Sequence, residues 1–178
     1  MSLDRRRLIA ATALFPFLIE AAAAETVARP KTGKRLLVLD FEIVDTSNEP
    51  ADQRADHARR LAAARDAIAD GLAGLGTYDV VDRAPVQADL DRILQQTYIR
   101  TCNGCEVALA RKAGADLVMT GLVNKVSTLI LSMGVSITRA SSGELIFHQG
   151  FDFRGDNDTS WARAAQFFTE RIARDPAT

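Results

Sequence analysis

Residues 115–156 read ADLVMTGLVNKVSTLILSMGVSITRASSGELIFHQGFDFRGD, and their alternation decides the fold class. From 129 to 137 the odd positions are Leu129, Leu131, Met133, Val135 and Ile137. The even positions from 128 to 138 are Thr128, Ile130, Ser132, Gly134, Ser136 and Thr138. A period of two puts one set on a dry sheet face and the other on a wetter one. The next run repeats the pattern, with Leu145, Phe147, Phe151 and Phe153 alternating with Glu144, His148, Asp152 and Arg154. Between them, Ala140-Ser141-Ser142-Gly143 offers a glycine able to take the positive φ of a short hairpin loop. Two adjacent, tightly joined strands are therefore expected, preceded by a strand over about 116–125.

The rest of the chain reads as layers around this stretch. Residues 36–44 begin with a continuous apolar run, which suits one strand buried on both faces. Residues 56–76 have helical spacing, with Leu61, Ala64, Ile68, Leu72 and Leu75 on one side. A short strand over 78–82 completes a strand–helix–strand unit, which implies a parallel pair. A weaker helix over 89–96 and a short one over 105–113 follow. The last helix, about 159–173, repeats Trp161, Ala164, Ala165, Phe168 and Ile172 at threes and fours, and Asn157 or Asp158 can cap it. The order β-α-β-α-α-β-β-β-α predicts a single α/β domain over 35–175. Its mixed sheet of about five strands joins a βαβ unit to an antiparallel meander, covered by helices.

The first 24 residues have the three-part layout of an export signal. Arg5-Arg6-Arg7 precede an apolar run over 8–19, and Ala21-Ala22-Ala23-Ala24 offers small residues for cleavage before Glu25. The apolar run is too short for a membrane anchor, which needs roughly 20 residues. The arginines fit a general secretory signal or the twin-arginine kind. Residues 25–34 read as a leader. Periplasmic location is expected, without lipid attachment, because no cysteine follows the cleavage site. The formal net charge is −1, from 22 basic and 23 acidic residues, and no basic block is present, which argues against nucleic acid as the main partner. No other run suits a membrane span.

Cys102-Asn103-Gly104-Cys105 is the most chemical motif. In an exported chain it reads as a structural disulfide, a redox-active pair, or free or metal-bound thiols. Glu106 follows where haem attachment needs His, and only His57 and His148 could add metal ligands, so no cofactor and no metal is implied. His148 lies on the polar side of its strand, near Ser136 or Ser132, and reads as a surface histidine, since catalysis would need a nucleophile or carboxylate partner that the sequence does not place. Lys125 and Arg154 could serve a small anion beside the start of the last helix, or Arg154 could instead pair with Asp152, Asp156 or Asp158. No residue is assigned a catalytic role.

Residues 110–121, ARKAGADLVMTG, resemble the helix–Gly–strand passage of TolB amino-terminal and CsgG-like periplasmic domains. Ala140-Ser141-Ser142-Gly143-Glu144-Leu145 resembles the hairpin turn that follows in them, and residues 36–81 their opening unit. The chain is more closely similar to an uncharacterised family of bacterial periplasmic domains, through GLVNKVS at 121–127 and RGDNDTSW at 154–161. The departures are the missing acylated cysteine, pore hairpin and carboxy-terminal propeller. The resemblance thus implies fold and compartment, not translocation. It also implies a hairpin turn within Val126, Ser127, Thr128, Leu129, Ile130 and Leu131, although turns are usually polar. Such an apolar turn is either covered by the domain or offered to a partner. The functions in view are a binding or assembly module for an envelope protein or for self-association, a thiol–disulfide accessory protein, and a small-anion receptor.

Overall fold

The computed structural model describes residues 33–177. The export signal over 1–24 and most of the leader over 25–34 lie outside the described residues. The elements are β1 (Arg35–Val38), β2 (Glu42–Asp45), α1 (Arg54–Gly74), β3 (Asp79–Val80), α2 (Ala84–Gln96), α3 (Cys105–Lys112), β4 (Leu117–Ser127), β5 (Ile130–Arg139), β6 (Leu145–Phe153) and α4 (Asp158–Arg174). A 3-10 turn, Ile99–Thr101, links α2 to α3. The sheet runs β3-β1-β4-β5-β6, and β2 also pairs with β4. β1 pairs in parallel with β3 and β4, β2 pairs in parallel with β4, and β4, β5 and β6 form the antiparallel meander. No described helix is long and apolar enough to cross a membrane.

The single strand expected over 36–44 is broken into β1 and β2. Val38 pairs with Met119 and Glu42 with Leu122, so residues 39–41 span only Thr120 and Gly121. One extra residue is thus inserted, which is the arithmetic of a bulge. Two side chains fix it. Phe41 lies over Gly121, where any Cβ would meet the ring at 2.4 Å. Asp40 turns outward to Arg65 and Arg83.

Both faces of β1 are buried, as its continuous apolar run demands. Leu36 and Val38 face α1 and α4, together with Ile68, Leu72, Trp161 and Phe168. Leu37 and Leu39 face α2 and α3, together with Val86, Leu90 and Leu109. The meander is covered on one face only. Leu131, Met133, Val135 and Ile137 have no exposed surface. Thr120, Asn124, Ser132, Ser136 and His148, on the opposite face, instead line an open groove of about 740 Å³.

Two details differ from the periodicity. Ile137 pairs with Phe147 but Thr138 with Leu145, so Ile146 is an extra residue in β6. The phase flips there, and Leu145, expected on the dry face, is 57% exposed on the groove side. α2 also starts earlier than its apolar spacing suggests, because Pro85 sits in its first turn, where a missing N–H costs nothing. α4 keeps its expected face: Trp161, Ala164, Ala165, Phe168 and Ile172 are all buried. Asn157 caps it, accepting from the Ser160 N–H at 3.1 Å.

Candidate functional site

The β4–β5 turn is the candidate. Its bonds come from three places in the chain. Within the turn, Ser127 Oγ accepts from the backbone N–H of Leu129 (3.3 Å) and Ile130 (3.2 Å). From the β6–α4 loop, the N–H of Asp156 donates to Thr128 O at 2.8 Å and that of Gly155 to Leu129 O at 3.4 Å. Gly155 has φ 89°, and a Cβ there would sit 2.8 Å from Asn157 Nδ2, so this loop needs glycine. From the β2–α1 loop, Glu49 accepts from the Thr128 N–H at 2.6 Å and from its hydroxyl.

Beneath the turn lies a buried ionic cluster. Lys125 is wholly buried, and its Nζ donates to Glu49 (2.8 Å) and Gln53 (2.6 Å). Asp156 and Asp45 lie 3.3 Å and 3.5 Å from the same ammonium. Asp156 is also buried, and it accepts from Arg60 Nη1 and from Trp161 Nε1, both at 2.9 Å. His57 Nε2 bonds the other Asp156 oxygen at 2.8 Å. Arg59 and Arg60 then reach Asp158 at the start of α4. Burial pushes the Lys125 ammonium down, but its bonds to Glu49 and Asp156 outweigh this and leave its pKa raised. The Lys125 bond, then Thr128, lowers the Glu49 carboxyl to about 2. For Asp156 burial acts upward, but the bonds from His57, Trp161 and Lys125 win and its pKa is lowered.

What this scaffold presents is apolar. Val126, Leu129 and Ile130 are 59%, 68% and 51% exposed. They are not covered by the domain's own helices. Leu131, grouped with them on sequence, has no exposed surface and belongs to the core. Lys125 and Arg154 are not brought together as a cation pair. The Lys125 charge is already met by three carboxylates, and Arg154 is exposed and makes no ion pair with described residues. That geometry gives an anion no free ammonium.

Asp45, Glu49, Gln53 and Arg60 were not singled out from sequence, and His57 entered only as a metal-ligand candidate. The readable signal was in α1: Gln53, His57, Arg60 and Ala64 follow one another at fours and threes, so the buried stripe turns polar at its amino end.

Cys102 and Cys105 form a disulfide with Cα atoms 5.5 Å apart. It bridges the 3-10 turn to the first residue of α3, with Gly104 between them at φ 85°. Cys105 packs on the α2–α3 core, and Cys102 lies at the groove's edge. Across the groove, Ser136 Oγ and His148 Nδ1 are 3.0 Å apart. Among the described residues no carboxylate bonds this imidazole, so the pair lacks the group that would orient a base.

These features define a small mixed α/β domain with a buttressed apolar hairpin tip and an open polar sheet face. The chain belongs to the DUF3280 family, described as "Protein of unknown function (DUF2380)", whose model matches residues 34–172. No curated protein matches it. Among solved structures it is similar to the LpoB C-terminal domain from Salmonella enterica, with 15% identity, TM-score 0.45, and coverage of 67% of this chain and 82% of that one. The lipoprotein GNA1162 from Neisseria meningitidis matches at 15% identity and TM-score 0.48, covering 80% and 99%. TolB from Acinetobacter baumannii matches at 9% identity and TM-score 0.47, covering 80% of this chain and 28% of that one.

Proposed function

We propose that this domain is a non-catalytic binding module of the bacterial cell envelope that docks on a protein partner through the tip of the β4–β5 hairpin. The observation that carries this reading is the pairing of exposure with rigidity. Val126, Leu129 and Ile130 stand in water, while the turn that bears them is bolted to Glu49 and Asp156. A preordered apolar tip loses little conformational freedom on docking, so burial of its side chains converts efficiently into affinity. The export signal read over 1–24 supports the compartment.

The test replaces Leu129 with a photo-crosslinking residue in the producing bacterium and identifies what is captured, beside Leu129→Asp and Ile130→Asp chains. A discrete protein adduct at Leu129, with binding of that protein lost in both Asp variants, is expected. Binding that survives both substitutions sinks the proposal.

A second reading rests on the disulfide, which opens α3 at the edge of the groove. A helix amino end can favour a thiolate and so permit exchange. The reduction potential separates the readings: a value below about −300 mV marks an inert bridge, and one near −200 mV marks an exchanging pair.

A further inference from the structure

β6 is an outer strand: it pairs with β5 on one side and with no described strand on the other. Edges are usually guarded by proline, lysine, shortness or a bulge. β6 has nine residues, no proline and no lysine. Its bulge lies near the start, and from Phe147 to Phe153 it runs in unbroken register with β5. Its groove-side residues, His148, Gly150 and Asp152, are exposed and face Ser136, Gly134 and Ser132 of β5. On the helix side, Phe147 and Phe151 are only partly buried, and Phe151 meets the exposed Phe167 with ring centroids 4.4 Å apart.

We propose that β6 pairs antiparallel with β6 of a second copy of this chain, about a twofold axis at Gly150. That register sets His148 opposite the partner's Asp152 and Asp152 opposite the partner's His148. Asp152 makes no ion pair with described residues and is free to accept. His148 Nδ1 is occupied by Ser136, so with the serine hydroxyl donating, the imidazole proton sits on Nε2 and serves the second carboxylate. On the helix side, Phe147 falls opposite the partner's Phe153 and diagonal to the partner's Phe151, a contact aromatic side chains can make. Neighbouring registers lose this match. An axis at Gln149 sets His148 against glycine and Asp152 against isoleucine, and an axis at Phe151 sets His148 against Arg154. The interface is isologous and closed. It leaves the hairpin tips at opposite ends of the joined sheet, so it is separate from the tip site.

Sedimentation equilibrium of the full chain tests this, and a concentration-dependent dimer is expected. His148→Asp and Asp152→His should each weaken it by about tenfold or more, since each acts twice per dimer. The double variant H148D/D152H should restore it. In its own chain each position faces a serine, so the swap leaves the fold intact, which circular dichroism checks. A second route avoids charge. Gly150→Cys has room in its own sheet, where the nearest atom to a Cβ is Met133 O at 3.7 Å. Mild oxidation should then link two chains through the introduced thiol. A chain that stays monomeric at about 100 μM, a dimer indifferent to both single variants, a double variant that folds but does not restore it, or a Gly150→Cys chain that forms no such link would each overturn the proposal. A dimer lost instead to Leu129→Asp would assign self-association to the hairpin tip and also overturn it.

Discussion

Lys125 has no exposed surface, yet it is surrounded by Asp45, Glu49 and Asp156 within 3.5 Å. A buried ion pair adds little net stability compared with well-packed apolar groups, because desolvation offsets attraction. Removing one partner is another matter. Lys125→Met would leave Asp156 and Glu49 facing each other without their shared cation. A loss of about 3–5 kcal/mol in urea unfolding is expected, and Lys125→Arg should not rescue it, because a guanidinium is too large for a wholly enclosed site. Specificity follows from the same residues. The ammonium selects one placement of the β2–α1 loop and one of the β6–α4 loop, and both placements hold the turn at Thr128. Little of this cluster was legible in the sequence. Lys125 and Glu49 are 76 residues apart, and His57 and Asp156 are 99 apart. No local period links them, and each taken alone reads as a solvated charge.

At the scale of elements, the β4–β5 hairpin separates two kinds of leucine two residues apart. Leu129 is on the tip and Leu131 is in the core. Leu129→Asp should leave the thermal midpoint within a few degrees of the native chain, because the site is solvated. Leu131→Asp should remove at least ~3 kcal/mol or prevent folding, because a carboxylate would be buried without a partner. Equal effects on melting would show that the tip is packed. The strand alternation from 131 to 137 was legible because a meander with one buried face writes its period into the sequence. Leu145 and the break after Val38 were not, because each depends on one inserted residue that shifts the register, which no local period records. Gly121 is the clearest case: a strand glycine explained only when Phe41 is seen above it. The disulfide is local. It closes a loop with a sequence separation of 3, so reduction should cost no more than about 2 kcal/mol of stability. A Cys102→Ser, Cys105→Ser chain that fails to fold would contradict that estimate.

For the whole molecule, layers and charge together set the response to acid. β1 is closed on both faces, and the meander is held on one face and by the ionic cluster at its tip. The carboxylates of that cluster are depressed. The Lys125 bond, then Thr128, brings Glu49 to about 2, and the arginine bonds from Arg59, then Arg60, bring Asp158 to about 2. Asp45 and Asp156 are lowered as well, with hydrogen bonds outweighing burial. A group whose folded pKa lies below its unfolded value binds fewer protons when folded. Its contribution is therefore complete above the unfolded carboxylate range near 4, and is lost as pH falls through the folded value. Stability should hold from neutral pH to about 4 and then fall steeply toward 2. The turn should loosen with it, since Glu49 and Asp156 are its fastenings. Hydrogen exchange at Thr128 reads the tip, and far-ultraviolet circular dichroism reads the whole chain. Protection at Thr128 should be lost at a pH at or above that of global unfolding, never below it. In a chain carrying Glu49→Gln, protection at Thr128 should depend less on pH down to global unfolding, because the amide then donates to a side chain that does not titrate. A Thr128 amide that stays protected while the sheet melts would mean that the ionic cluster does not hold the tip.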